Sequence, residues 1–249
     1  MALKKQLGFI DVYSIAMGAM FSSGLFVLPG LAHARAGPAV IFSYLLAGLL
    51  AMIGMLSEAE LVSAMPKAGG TYFYVTRSMG PAAGTVNGLL IWFSLSLKSA
   101  FALVGMAAFL EMVLPVNSYV AGLAFLIVFV GLNLVGVREV AKLQVVLVTG
   151  LILILMWYVF KGVGAVQADN FVPFAPKGLY GVLSTAGFVF ISYGGLLKVT
   201  SVAEEVRNPS RTIPRAMTTA LVSGVLMYTL VVFVTSGVLE AHVLNGSVM

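Results

Sequence analysis

The chain has 249 residues, 60% of them hydrophobic and only 9% charged, with a net charge of +5 and no cysteine. A soluble domain carries roughly a quarter charged residues, so this composition excludes a soluble core and implies apolar segments that cross a bilayer. Disulfides and thiolate metal sites are excluded, His33 and His242 lie far apart, and neither a metal nor a cofactor is expected. The basic excess reads as membrane topology, not nucleic-acid binding.

Lys4 and Lys5 precede an apolar run, as in a signal peptide, but the run continues to "LPGLAHARAG" and further spans follow. It reads as a retained first helix. Charged, proline and glycine clusters divide the chain into seven expected helices, at 9–33, 38–63, 80–113, 118–136, 141–162, 179–203 and 213–238. Each is judged against the roughly 20 apolar residues that a crossing needs. With a cytoplasmic N-terminus, nine basic residues fall inside (Lys4, Lys5, Lys67, Arg77, Arg138, Lys142, Arg207, Arg211, Arg215) and three outside (Arg35, Lys161, Lys177). That asymmetry sets the expected orientation in a cell membrane.

The first span contains "GAMFSSGLFVLPG". Glycine costs about 1 kcal/mol relative to alanine in a helix, and serine hydroxyls compete for backbone groups. The expectation is two half-helices of about 10–14 Å with an unwound stretch, Gly18–Gly24, near mid-membrane. Such clusters also occur where membrane helices simply pack closely. The sixth span repeats the pattern, with Ser192, Tyr193, Gly194 and Gly195 at its middle, and after five crossings it runs in the opposite sense. Two interruptions of opposite sense are what an inverted repeat predicts. Freed backbone groups persist in a membrane only where they line a cavity or meet a ligand. Amides at Ser22, Ser23 and Gly24 suit a carboxylate, and carbonyls near Gly18 and Ala19 suit an ammonium, so a zwitterion fits both.

Three segments together, "GAMFSSGLFVLPG", "SEAELVSAMPKAGGTYFYV" and "AEEVRNPSRTIPRAM", resemble the first-helix motif and two intracellular connections of amino acid permeases in the amino acid–polyamine–organocation superfamily, in the family's order. The resemblance covers nearly the whole chain. It implies an all-α polytopic membrane protein built as a five-plus-five inverted repeat, with the first and sixth helices unwound in mid-membrane. Here residues 1–249 form a single transmembrane domain, the N-terminal portion of that fold, with 1–162 as the first repeat and 179–249 as the start of the second. It implies alternating-access transport of an amino acid or related amine, with room for a coupled proton or sodium ion. Ser22, Ser23 and Gly24 match the carboxylate-binding segment. Ile191 and Gly194 match positions whose carbonyls face the amino group, beside Gly195, and Leu196 matches a position often held by a gating aromatic. With that aromatic missing, either another residue such as Tyr193 closes the outer gate or closure is looser than in the family pattern.

The fifth-helix lysine of proton-coupled members is replaced by Leu151. Lys98 and Lys198 fall inside spans instead, where a charge costs about 2.5–3.5 kcal/mol on insertion scales. Lys98 either snorkels to an interface or serves in proton coupling, ion substitution or binding of an acidic substrate. Lys198, beside the sixth-helix break, suggests substrate selection or pairing with an acid. Glu58, Glu60, Glu204 and Glu205 lie near Arg77, Arg138, Arg207, Arg211 and Arg215, where an inner gate of ion pairs is expected beside the default of solvated helix ends.

The family fold has ten core helices, so a C-terminal half is expected to be missing, and the alternative is a truncated or split permease acting only with that part, or a regulatory fragment. A retinal photosensor would need its lysine in the last helix with an intramembrane acid opposite. A membrane enzyme would show HExxH, Gly-x-Ser-x-Gly or paired intramembrane carboxylates. Neither pattern is present.

Overall fold

The computed structural model describes residues 5–21, 23–26, 28–67 and 69–239. These are almost wholly helical, and the one β-type pairing is an isolated parallel bridge between Leu7 and Val206. In chain order the helices are α1 (Phe9–Met20), α2 (Ser23–Phe26), α3 (Leu28–Ala36), α4 (Val40–Ala64), α5 (Gly70–Met79), α6 (Pro81–Val113), α7 (Ser118–Val135), α8 (Val137–Val163), α9 (Gly178–Val189) and α10 (Pro209–Val238). Short 3₁₀ turns lie at Gly37–Ala39 and Ala168–Phe171, and a 3₁₀ segment of 16 residues, Phe190–Glu205, continues α9.

Among the described residues, five stretches are long and apolar enough to cross a membrane: Leu28–Ala64, Pro81–Val113, Arg138–Val163, Gly178–Glu205 and Pro209–Val238. Phe9–Met20 and Ser118–Leu134 are shorter apolar helices. All seven expected segments are therefore helical, and the first falls short because it is broken. Its later piece, α3, joins α4 through a tight turn at Gly37, whose φ of +64° favours glycine.

Two boundaries differ from the sequence reading. The "GTYFYVTRSM" stretch, expected as a connection, is the helix α5, which starts at Gly70 after the N-cap Gly69, both glycines at positive φ. The last helix begins at Pro209, four residues before the expected 213. Asn208 takes the left-handed conformation (φ 48°, ψ 58°), which asparagine tolerates. Pro209 then fills the first helical position, where its missing N–H is no loss, and Pro214 falls inside the helix instead of starting it.

The core lies where α1, α4, α10 and the 3₁₀ segment meet, with α8 and α9 alongside. Small residues let these elements approach: a side chain at Gly48 would run into Val225 across the α4–α10 contact, and one at Gly224 would meet Met20. Asp11 caps α1 by accepting the Gly8 N–H at 2.8 Å. By contrast α6 and α7 leave most of their apolar side chains uncovered, among them Leu89, Trp92, Met112 and Tyr119.

Candidate functional site

The first crossing stops being helical at Phe21, whose ψ of 84° ends α1 while its N–H still reaches the Met17 carbonyl at 2.8 Å. Ser22 lies outside the described residues, as does the Ser23 side chain. Chain direction then resumes as α2. The end of α1 leaves carbonyls without intrahelical donors, and donors from elsewhere in the fold meet them. The Lys98 ammonium on α6 donates to the Ala19 carbonyl at 3.0 Å. The Tyr228 hydroxyl on α10 donates to the Met20 carbonyl at 2.7 Å, and the Tyr44 hydroxyl on α4 donates to the Gly24 carbonyl at 3.2 Å.

The sixth crossing departs from α-helical geometry where the sequence placed its break, but in a different manner. Instead of opening into a loop at Ser192–Gly195, it winds more tightly from Phe190 to Glu205. A 3₁₀ helix rises about 2.0 Å per residue against 1.5 Å in an α-helix, and runs beyond a few residues are uncommon. Glycines at 194 and 195 and the β-branched residues from Val199 onward favour no regular α-helix here. Neighbouring elements hold the segment in place: Tyr193 donates its hydroxyl to the Tyr44 carbonyl at 3.0 Å.

The two interruptions are packed directly on each other. A Cβ at Gly195 would overlap the Ala19 carbonyl, and a Cβ at Gly24 would come within 2.7 Å of the Ser192 Cβ. Gly18 faces away from this contact, toward Gln144 and Val148 of α8. On that side a cleft of about 380 Å³ runs between α1, α7 and α8, lined by Gly18, Phe21, Asn133, Gln144 and Leu151 among others.

The sequence-nominated residues therefore divide into two groups. Ala19, Gly24, Gly195 and Lys98 come together at the junction, with Leu196 buried beside it. Tyr193, nominated as an outer gate, is only 1% exposed and forms an edge-to-face pair with Tyr228, ring centroids 5.4 Å apart. Ile191 is 61% exposed, and with Gly194, Lys198 and Ser201 it forms an exposed stripe along the 3₁₀ segment. Lys198 lies one 3₁₀ turn beyond Gly195.

Sequence reasoning missed Tyr44 and Tyr228, since a tyrosine within an apolar run gives no sign of which carbonyl its hydroxyl will reach. It also missed that Ser192, 1% exposed, carries a buried hydroxyl with no hydrogen-bond partner among the described residues. The expected arginine–glutamate gate takes another form. Among the described residues the ion pair that joins separate elements is Lys67–Glu204, at 3.8 Å, while Glu58 is buried and bonded to Thr200. The Tyr74 hydroxyl nearby donates to the Met65 carbonyl at 3.1 Å, and burial, then the Glu58 carboxylate, push its phenol up from the ordinary tyrosine value. No group of histidine or carboxylate side chains suited to a metal occurs among the described residues.

Comparison with known proteins gives this geometry a context. The family model for amino acid permeases matches residues 11–244. The chain is 29% identical to the methylthioribose transporter of Bacillus subtilis, over 98% of this chain and 57% of that protein. It is 27% identical to the branched-chain amino acid permease of the same organism, over 96% and 56%. With cationic amino acid transporter 9, chloroplastic, of Arabidopsis thaliana it shares 29% identity over 98% and 47%. The chain thus spans about half the length of the curated relatives it matches. Its apolar helices and this match make it a multi-pass membrane protein, and it belongs to the amino acid permease family.

Proposed function

We propose that the protein is a secondary active permease for amino acids or related amines, working by alternating access, with substrate bound at the junction of the first and sixth crossings. The observation that carries this reading is the direct packing of one interrupted crossing on the other, Gly195 on Ala19 and Gly24 on Ser192. Irregular backbone at membrane depth is tolerated where it is buried in protein or lines a cavity, and paired irregular helices are the usual substrate cradle of inverted-repeat transporters. In this reading residues 1–162 form the first repeat and 179–249 begin the second. The protein lies in the cell membrane with its N-terminus facing the cytoplasm. Ala19, Ser22, Ser23, Gly24, Ile191, Tyr193, Gly194, Gly195 and Leu196 contribute to the substrate site, Gly18 contributes through its carbonyl alone since its Cα faces α8, and Lys98 and Lys198 are candidates for ion or proton coupling.

A second reading is favoured by one observation, the half-length match to the relatives. In it the chain transports only together with a C-terminal part. Uptake of labelled amino acids into proteoliposomes separates the two. Saturable uptake by the chain alone supports the first reading. Uptake that appears only when the remaining segment of a full-length relative is co-reconstituted supports the second, and no uptake in either case overturns both.

A further inference from the structure

The carbonyls at the first-helix break are already engaged. Ala19 is held by the Lys98 ammonium, Met20 by the Tyr228 hydroxyl and Gly24 by the Tyr44 hydroxyl. Of the carbonyls read as facing a substrate's amino group, that of Ala19 is thus already met by one of the protein's own donors. No carboxylate among the described residues pairs with the positive charge at the junction. Lys98 is half-buried with its ammonium on the Ala19 carbonyl, and Lys198 stands one 3₁₀ turn from Gly195, which packs against that same carbonyl. The Ser192 hydroxyl beside Gly24 is buried and has no partner among the described residues. The ion pairs among the described residues, Lys67–Glu204 and Glu139–Lys142, use neither lysine. Two ammonium groups at membrane depth are costly without a compensating anion, and a carboxylate between them would be held by charge-assisted bonds.

We propose that this site takes an amino acid whose side chain carries a second carboxylate, with the Lys98 and Lys198 ammonium groups as the elements that select it. The proposal rests on the reading of the junction as an amino-acid site and narrows its substrate class. A neutral amino acid leaves the two charges uncompensated, and a cationic one adds a third positive charge to them. The isosteric amide of an acidic amino acid keeps shape and size while removing the charge, so it isolates the term in question.

The test measures the concentration dependence of thermal stabilisation of the purified full chain by L-glutamate, L-glutamine, L-leucine and L-lysine at constant ionic strength, since a ligand stabilises the state that binds it. Glutamate is expected to act at a concentration at least ~10-fold below glutamine, with lysine the weakest of the four. In Lys198→Gln, whose side chain is exposed and whose loss leaves the packing intact, the glutamate–glutamine difference should shrink to about twofold. Equal responses to glutamate and glutamine, or a leucine response stronger than either, would overturn the acidic-substrate proposal and leave the amino-acid site standing. An unchanged preference in Lys198→Gln would remove Lys198 from it. Absence of stabilisation by all four would overturn the underlying site reading as well.

Discussion

At the scale of single residues, the junction is organised by what is missing from glycines and by what tyrosines reach. Gly24 and Gly195 stand out in the sequence as helix interruptions, and the structure supplies a reason beyond conformational freedom: each leaves room for a neighbouring element to touch backbone. Tyr44 and Tyr228 stay hidden in apolar runs because hydroxyl reach depends on helix rotation, which no local pattern encodes. Removing the Tyr228 hydroxyl strands the buried Met20 carbonyl, and an unsatisfied buried polar group costs about 1–3 kcal/mol. Tyr228→Phe should therefore lower the thermal unfolding midpoint measurably. Thr229→Val, which loses only a bond to the Val225 carbonyl one turn back, should stay within about 0.5 kcal/mol of the parent. Equal shifts for the two would show that Tyr228 acts through packing alone.

At the scale of elements, apolar length and breakpoints gave away most helices, because a bilayer leaves few alternatives to helical backbone. The 3₁₀ winding of Phe190–Glu205 was not legible. Glycines at its start signalled an interruption, but whether backbone opens or tightens depends on what packs around it, here α1, α4 and α10. Bonds of poorer geometry should open more readily. Amides of 190–205 are accordingly expected to exchange with deuterated solvent faster than those of α10 in lipid nanodiscs, and equal protection would contradict the assigned winding. The start of α10 depended on Asn208 entering the left-handed region. A β-branched residue there meets a penalty of roughly 1–2 kcal/mol, so Asn208→Val should destabilise by about that amount while Asn208→Gly stays close to the parent in thermal unfolding.

At the scale of the whole molecule, one end is tied by contacts between segments distant in sequence. Leu7 pairs with Val206, its carbonyl accepting the Arg207 N–H at 2.9 Å, and the Glu205 carbonyl accepts N–H groups from Gln6 and Leu7. Leu7 is 1% exposed, and truncating a buried leucine to alanine costs about 2–5 kcal/mol. The Lys67–Glu204 ion pair at the same end is solvent-exposed and worth at most about 1 kcal/mol. Thermal unfolding of Leu7→Ala and Glu204→Gln should rank them clearly, the leucine variant being the weaker, and the reverse order would mean that the charge pair from the α4–α5 connection, not the buried leucine, holds this end of the sixth crossing. The charge clusters of the sequence pointed to this end, but the apolar anchor that dominates it lay in a segment too short to attract notice.

The contact of Gly195 with Ala19 also determines how tolerant that position is to change. The first atom any other residue adds is a Cβ, and that atom already overlaps the Ala19 carbonyl, which belongs to backbone and cannot rotate aside as a side chain would. The response to substitution should then be a step and not a gradient. In a saturation library scored for folded protein in the membrane, alanine at 195 should fall with the bulky residues, whereas at Gly54, where an added Cβ meets nothing within 4 Å, alanine should score with the parent.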